Sequence, residues 1–223
     1  MLYIENIFVC LVAPLVVLLF FVRGPRRLSI FGVVLGMVAC LLSAYVSAFF
    51  AQLYGADVVA TAAEITPVVE EFMKFLPVVF ILAVFDPKDE ALVSFALVIG
   101  ISFATFENVC YLIENGASSI SLLFLRGFGT GAMHLACAML AVYGLVQLRH
   151  TTSRLSTRIV GGFSMLCVAI SFHELFNVLL AAEGVLMYVA LAAPIVTCAV
   201  ILARRRVHEK KRATDMFLTE PID

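Results

Sequence analysis

Apolar runs of about 20 residues recur along this chain from its N-terminus almost to its C-terminus. A helix of that length rises ~1.5 Å per residue and so crosses the ~30 Å hydrocarbon core of a bilayer. The 223 residues are 63% hydrophobic and 14% charged, a balance that excludes an ordinary soluble domain. The sequence therefore predicts an all-α, polytopic transmembrane helix bundle. Its seven expected spans are residues 4–22, 28–50, 58–85, 90–113, 121–148, 159–181 and 185–203.

The loops between these runs are too short to hold a soluble domain. We expect residues 1–203 to form a single transmembrane domain and residues 204–223 to form a polar cytoplasmic tail without regular structure. The six cysteines lie inside apolar runs and form no C-x-x-C pair, so neither a disulfide framework nor a cysteine metal site is indicated. The net charge of −1 gives no indication of nucleic-acid binding.

Lysine and arginine are sorted between alternate loops. They follow the first, third, fifth and seventh spans, whereas the loops near Asp57, Glu114 and Glu183 contain none. Because cytoplasmic loops carry the excess of basic residues, we expect the N-terminus outside and the C-terminus in the cytoplasm. Of the 15 basic residues, only Lys74 and Arg126 depart from this pattern. Lys74 lies inside a span, and we interpret Arg126 as an interfacial anchor.

The third span carries charged side chains, Glu70, Glu71 and Lys74, near the expected bilayer midplane. A charge there costs from about 2.5 to about 10 kcal/mol or more, so such residues are candidates for function. Lys74 lies one turn from Glu70, which predicts an ion pair that keeps Glu70 ionised and leaves Glu71 free to hold a proton. Two carboxyl groups in different protonation states suit acid–base catalysis. Pro67 and Pro77 each remove a helical N–H and predict a wet cavity nearby.

Polar side chains on the next three spans lie at depths that let them meet this pair. Glu107 and Asn108 are on the fourth span, and His134 is on the fifth. His173 and Asn177, four residues apart on the sixth span, share a helix face. Counted at ~1.5 Å per residue from the span centres, His134 lies near the midplane and the others up to ~10 Å further out. We therefore expect one pocket that opens to the outside.

Four motifs in this order resemble those of the PrsW intramembrane proteases, which are related to the CAAX prenyl endopeptidases and bacteriocin-processing enzymes. The family's E-E-x-x-K, F-x-x-x-E-N, third-motif histidine and H-x-x-x-D/N correspond to Glu70-Glu71-Phe72-Met73-Lys74, Phe103 to Glu107-Asn108, His134, and His173 to Asn177. The resemblance covers the third to the sixth span. Asn177 stands where many relatives have aspartate, which weakens any proposal that this position is an anionic metal ligand.

This resemblance implies a multi-pass protease of the bacterial plasma membrane, with residues 1–203 as its catalytic domain. Similarity to PrsW further implies site-1 cleavage of a membrane-spanning anti-sigma factor on its extracytoplasmic side, which begins a cascade that frees a sigma factor. A pocket open to the outside agrees with that role. The expected partners are thus a membrane-anchored protein substrate and the lipid bilayer.

A glutamate-type mechanism for such a protease needs no cofactor. In it, Glu70 or Glu71 takes a proton from the water that attacks the peptide carbonyl. His173 and Asn177 donate hydrogen bonds to the developing oxyanion, and Lys74 supports the carboxylates. We prefer this mechanism.

Zinc is the cofactor of the alternative mechanism. Glu107, His134 and His173 would form a His₂Glu zinc site with an open fourth position, and Asn108 is a further supporting residue of the site. The glutamate pair of the third span would then supply the general base. The spacing does not decide between the two mechanisms, because the sequence contains no H-E-x-x-H motif.

A proton-coupled transporter or channel is the rival function, with the buried Glu/His cluster as its proton relay. Such a protein needs a path to both faces of the membrane. Here the expected cytoplasmic halves of spans four to six have almost no polar side chain beyond the loop margins. Two further acids, Glu64 near the outer surface and Glu174 on another helix face than His173, are weaker candidates for either function.

Overall fold

The computed structural model describes residues 4–21, 24–116, 120–151, 154–182 and 184–219, and all regular structure within them is helical. The elements are α1 (Ile4–Phe21), α2 (Pro25–Tyr54), α3 (Val58–Ala60), a π-helical turn (Thr61–Ile65), α4 (Thr66–Phe85), α5 (Asp89–Asn115), α6 (Ile120–Thr151), α7 (Leu155–Ala181) and α8 (Val185–Thr219). The predicted all-α bundle is confirmed. Each predicted span corresponds to helical structure, and the third consists of α3, the π-helical turn and α4. The predicted outer loop at Glu183 lies outside the described residues.

Five of these helices, α2, α5, α6, α7 and α8, are long and apolar enough to cross a membrane. The chain is therefore a multi-pass membrane protein, as predicted. In α1 the apolar stretch is shorter, Ile7–Leu19, and α4 carries three charged residues in its first half. That α1 and α4 also cross, and that the N-terminus lies outside, stay predictions from the sequence pattern.

The last helix corrects one expectation about the polar tail. We expected no regular structure after residue 203, but α8 continues as a helix to Thr219. Lys, Arg and Glu are good helix formers, and the tail continues a helix that the apolar half of α8 has already nucleated. The polar segment can therefore become helical without a separate nucleation step.

Helix α5 is the most enclosed of the five long apolar helices, and its main packing partners are α2 and α6. Its buried face carries Leu92, Phe95, Ile99, Phe103 and Phe106, each almost fully enclosed. These positions recur every three or four residues, which places them on one helix face. Glu107 directly follows Phe106 and so lies at the edge of this buried face.

Small residues let α5 approach its two neighbours closely. A Cβ atom added at Gly36 of α2 would overlap the Ser102 hydroxyl of α5. A Cβ atom at Gly100 would lie 3.1 Å from the backbone oxygen of His134 on α6. Close approach through small residues is typical of membrane helix pairs, and here it brings the backbone of α6 against α5 beside the polar cluster.

At the predicted cytoplasmic side, Arg149 at the end of α6 holds the loop between α4 and α5. Its guanidinium donates to the backbone oxygen of Pro87 and to Asp86 Oδ1, both at 2.7 Å. It also donates to Asp89 Oδ1 at 3.3 Å, and His150 Nε2 lies 2.6 Å from Asp89 Oδ2. These contacts fix the end of α4 that leads into the α4–α5 loop relative to the end of α6.

Candidate active site

The α4 carboxylates are both buried, with Glu70 8% and Glu71 4% exposed. Lys74 is buried beside them, and its Nζ donates to Glu71 Oε1 at 2.6 Å. The predicted pairing of Lys74 with Glu70 is therefore wrong. A lysine can reach a carboxylate three or four residues earlier on a helix, and here a second acceptor on α6, His134, lies on the side of Glu71.

His173 of α7 contacts both carboxylates. Its Nδ1 forms a hydrogen bond of 2.7 Å to Glu71 Oε1, and its Nε2 lies 3.9 Å from Glu70 Oε2. Glu71 Oε1 therefore accepts from Lys74 and from His173 together. Glu70 has no such donor within hydrogen-bond distance among the described residues. The neighbouring carboxylates thus have different environments, as the proposal of acid–base chemistry requires.

His134 of α6 is fully buried and connects α4 to α5. Its Nδ1 lies 2.6 Å from Lys74 Nζ, and its Nε2 lies 2.7 Å from Glu107 Oε2. The ring of Phe103 packs against His134 and Lys74. Its centroid lies 5.0 Å from that of the His134 ring and 4.6 Å from Lys74 Nζ. An ammonium over an aromatic face is attracted by the ring quadrupole, so Phe103 helps to hold Lys74 in place.

Glu107 of α5 lies at the more exposed edge of the cluster, with 26% of its side chain accessible. While its Oε2 contacts His134, its Oε1 accepts a hydrogen bond of 3.0 Å from Arg126 Nη2. The Arg126 guanidinium carbon lies 3.6 Å from the centroid of the Tyr111 ring. Arg126 is thus an ion-pair partner of a site residue, and its interpretation as an interfacial anchor is incomplete.

Asn177 lies one turn beyond His173 on α7, and its amide meets the π-helical turn. The Nδ2 of Asn177 donates to the backbone oxygen of Ala62 at 3.0 Å. In the turn, the N–H of Thr66 bonds to the oxygen of Thr61, five residues earlier. By the same spacing, the partner of the Ala62 oxygen would be Pro67, which has no N–H. Asn177 therefore satisfies a carbonyl that Pro67 leaves free, as a membrane interior requires.

A small set of these side chains could hold a metal ion. One donor atom each from Glu70, His134 and His173 lies within 4.8 Å of the others, and all three residues are buried. Two histidines and a glutamate are a donor set that zinc uses, and His173 donates its other nitrogen to a carboxylate, as metal-bound histidines do. The residues therefore fit zinc. The carboxylate in this set is Glu70, whereas the sequence pointed to Glu107.

The comparison with known families decides the broad class of this site. A family model described as PrsW family intramembrane metalloprotease matches residues 24–202. The chain belongs to the PrsW family. It is accordingly a protease of the bacterial plasma membrane, and the family predicted from the four motifs is confirmed. Searches of curated proteins and of solved structures give no match.

The PrsW motifs take physical roles in this geometry. The structure brings together five of the six predicted catalytic residues, which share one network of close contacts. Those five are Glu70, Glu71, Glu107, His134 and His173. The sixth, Asn177, contacts the π-helical turn instead. Of the supporting residues, Lys74 joins the network, and Asn108 has a buried Oδ1 without a partner among the described residues.

A groove lies between the π-helical turn and α7. Its volume is about 410 Å³, and Ala63, Glu64, Ser171, Glu174, Leu175 and Val178 line it. Pro67 follows the π-helical turn that lines this groove, and the predicted pocket around the buried site residues stays a prediction. Glu64 and Glu174, the weaker acidic candidates, line the groove rather than the buried network. On the other side of Glu71 and Lys74, a cavity of about 20 Å³ is large enough for about one water molecule.

Arg126 is the PrsW site residue that the sequence reasoning missed. A signal for it was present, because Arg126 is one of only two basic residues outside the predicted cytoplasmic loops. Its proximity to Glu107 joins residues 19 positions apart on different helices, and no local pattern indicates such a contact.

Proposed function

We propose that this PrsW protein hydrolyses a peptide bond of a membrane-anchored protein at the centre formed by Glu70, Glu71 and His173. The observation that most strongly supports this proposal is the unequal environment of the two carboxylates. Glu71 is held by a lysine and a histidine, whereas Glu70 faces the Nε2 of that same histidine across 3.9 Å. A proton acceptor beside an oriented imidazole is the arrangement that general acid–base catalysis needs.

In this mechanism Glu70 is the general base. It takes a proton from a water molecule as the water oxygen attacks the peptide carbonyl carbon, and later gives that proton to the leaving amine. His173, held at Nδ1 by Glu71, donates from Nε2 to the developing oxyanion when its ring is protonated. Asn177 uses one amide N–H on Ala62 and keeps a second for the same oxyanion.

The second candidate is a zinc-dependent reaction, which the family description as a metalloprotease favours. Glu70, His134 and His173 would hold the ion. When bound, zinc would polarise the peptide carbonyl and promote ionisation of a bound water. In that case Glu71, which supports His173 through Nδ1, orients a metal ligand rather than an oxyanion donor.

We further propose that the substrate is an anti-sigma factor cut on the extracytoplasmic side. The positive charges of alternate loops support this side, because their pattern predicts that the Arg126 and Glu107 end of the site faces the outside. The resemblance of the four motifs to those of PrsW supports the substrate.

Purified protein with a single-span substrate tests the proposal and separates the two mechanisms. The glutamate-type reaction predicts cleavage that continues in chelators, with far less than one zinc per chain. The zinc reaction predicts about one zinc per chain, lost with activity in His134→Ala and on chelation. Absence of cleavage for a panel of anti-sigma factors and generic single-span proteins would contradict both.

A further inference from the structure

Lys74 lies between two acceptors in the interior of the bundle. Its Nζ is 2.6 Å from Glu71 Oε1 and 2.6 Å from His134 Nδ1, and the side chain is 6% exposed. The Phe103 ring packs beneath it at 4.6 Å. The lysine is therefore held by a carboxylate, an imidazole and an aromatic face together.

These contacts assign the protons of His134. An ammonium group has three donors and no acceptor, so Nδ1 of His134 must accept from Lys74. A neutral imidazole carries its single proton on the other nitrogen, Nε2. That N–H donates to Glu107 Oε2 at 2.7 Å, so all three contacts are satisfied by one tautomer.

The opposite assignment holds for His173. Its Nδ1 faces Glu71 Oε1, an acceptor that already pairs with Lys74, so Nδ1 carries the proton and donates. In the neutral ring, Nε2 then has a free lone pair directed toward Glu70. The two histidines therefore hold different tautomers, and of the two only His173 presents a lone pair to the centre of the cluster.

A divalent metal ion needs a lone pair from each histidine that it binds. If it used Nδ1 of His134, it would take the atom that Lys74 occupies. If it used Nε2, the ring proton would move to Nδ1 and face an ammonium at 2.6 Å, which cannot accept it. Lys74 must therefore release His134 on either route.

We propose that Lys74 is a positioning residue whose ammonium competes with a divalent metal ion for His134. With Lys74 in place, His134 stays in the Nε2–H tautomer, and the set of Glu70, His134 and His173 binds metal weakly. When Lys74 withdraws, the same set becomes a metal site. The inference builds on the centre of the proposed function, but its test uses no substrate, so its failure leaves the protease proposal untouched.

Nitrogen NMR of the wild-type protein tests the tautomer directly. The chain contains four histidines, and the signal of His134 is identified by its absence in His134→Gln. In ¹⁵N-histidine-labelled, metal-free protein, we expect His134 to show a protonated Nε2 and an unprotonated Nδ1. A protonated Nδ1 on His134 would overturn the proposal, and this measurement does not depend on any Lys74 variant folding.

Titration with Co²⁺ alone, followed by its absorption bands, tests the competition. We expect Lys74→Met to bind Co²⁺ at least tenfold more tightly than wild type, Lys74→Arg to stay near wild type, and the surface control Lys88→Met to be unchanged. Adding Glu70→Gln to Lys74→Met should remove the gain if the ion binds this set. Equal Co²⁺ affinity in folded Lys74→Met and wild type would overturn the proposal.

Discussion

At the residue scale, every ionisable side chain of the buried network except Glu70 is hydrogen-bonded to a partner on another helix. Glu71 joins α4 to α7, His134 joins α6 to both α4 and α5, and Arg126 joins α6 to Glu107 of α5. Ionised groups in a membrane interior are tolerated when they are paired in this way. The same pairs that permit burial also fix the orientation of the reacting groups.

Removing the charge of Arg126 should slow cleavage, because Arg126 acts on the site through Glu107. Glu107 would then lose one of its two partners and hold His134 less firmly. We expect Arg126→Met to lower the initial cleavage rate in proteoliposomes about tenfold, equivalent to ~1.4 kcal/mol, and Arg126→Lys to be milder. Lys88→Met, at an exposed position on the opposite side, is the control. A wild-type rate for Arg126→Met would assign this residue to the membrane interface alone.

The types of the site residues could be predicted from the sequence, but their pairing could not. Depth along a helix follows from a fixed rise per residue. The depths correctly predicted that Glu70, His134 and His173 lie close together. Lys74, by contrast, can reach either Glu70 or Glu71 on α4, and His134 of another helix decides between them. The contact of Arg126 with Glu107 is likewise set by how α6 packs against α5.

At the element scale, the junction before α4 shows why a helix break serves this site. The π-helical turn and Pro67 leave the Ala62 oxygen without a helical N–H, and Asn177 of α7 fills that place. The groove beside α7 is lined by Ala63 and Glu64 of the same turn. Prolines in the sequence indicated a break in this span, but the partner that caps it comes from a residue 115 positions away.

The contact of α2 with α5 gives a stability prediction. A methyl group at Gly36 would overlap Ser102, so Gly36→Ala must push the two helices apart. We expect this change to lower the free energy of unfolding in detergent by about 1–3 kcal/mol, the usual effect of overpacking. Gly131→Ala on α6 is the matched control, because an added Cβ there meets nothing within 4 Å. Equal stability of the two variants would show that α2 and α5 are not closely packed.

At the scale of the whole molecule, membership of the PrsW family and the helical bundle agree on a multi-pass membrane protease. Length and apolar composition were sufficient to predict the helices, because each crossing needs its own apolar run. The packing partners of each helix, such as α2 and α6 for α5, came only from the structure. The polar end of α8 shows the limit of composition, since charged residues there continue a helix.

Orientation in the membrane is the prediction that belongs to this scale. Reporter fusions should place the loops at Asp57 and Asn115 outside, and the loop at Arg154 and the C-terminus in the cytoplasm. Accessibility of single cysteines to an impermeant thiol reagent in intact cells gives an independent measurement. A cytoplasmic loop at Asn115 would put the open end of the site on the wrong face for extracytoplasmic cleavage.

The most direct test of the central claim compares two glutamates of one helical segment in one assay. Wild type, Glu70→Gln and Glu64→Gln are reconstituted in liposomes with a single-span substrate, and mass spectrometry identifies the new chain ends. We predict that wild type cuts within the outer half of the substrate span, that Glu70→Gln produces no cleavage, and that Glu64→Gln retains most of the rate. Cleavage by Glu70→Gln at the wild-type bond and rate would contradict the account.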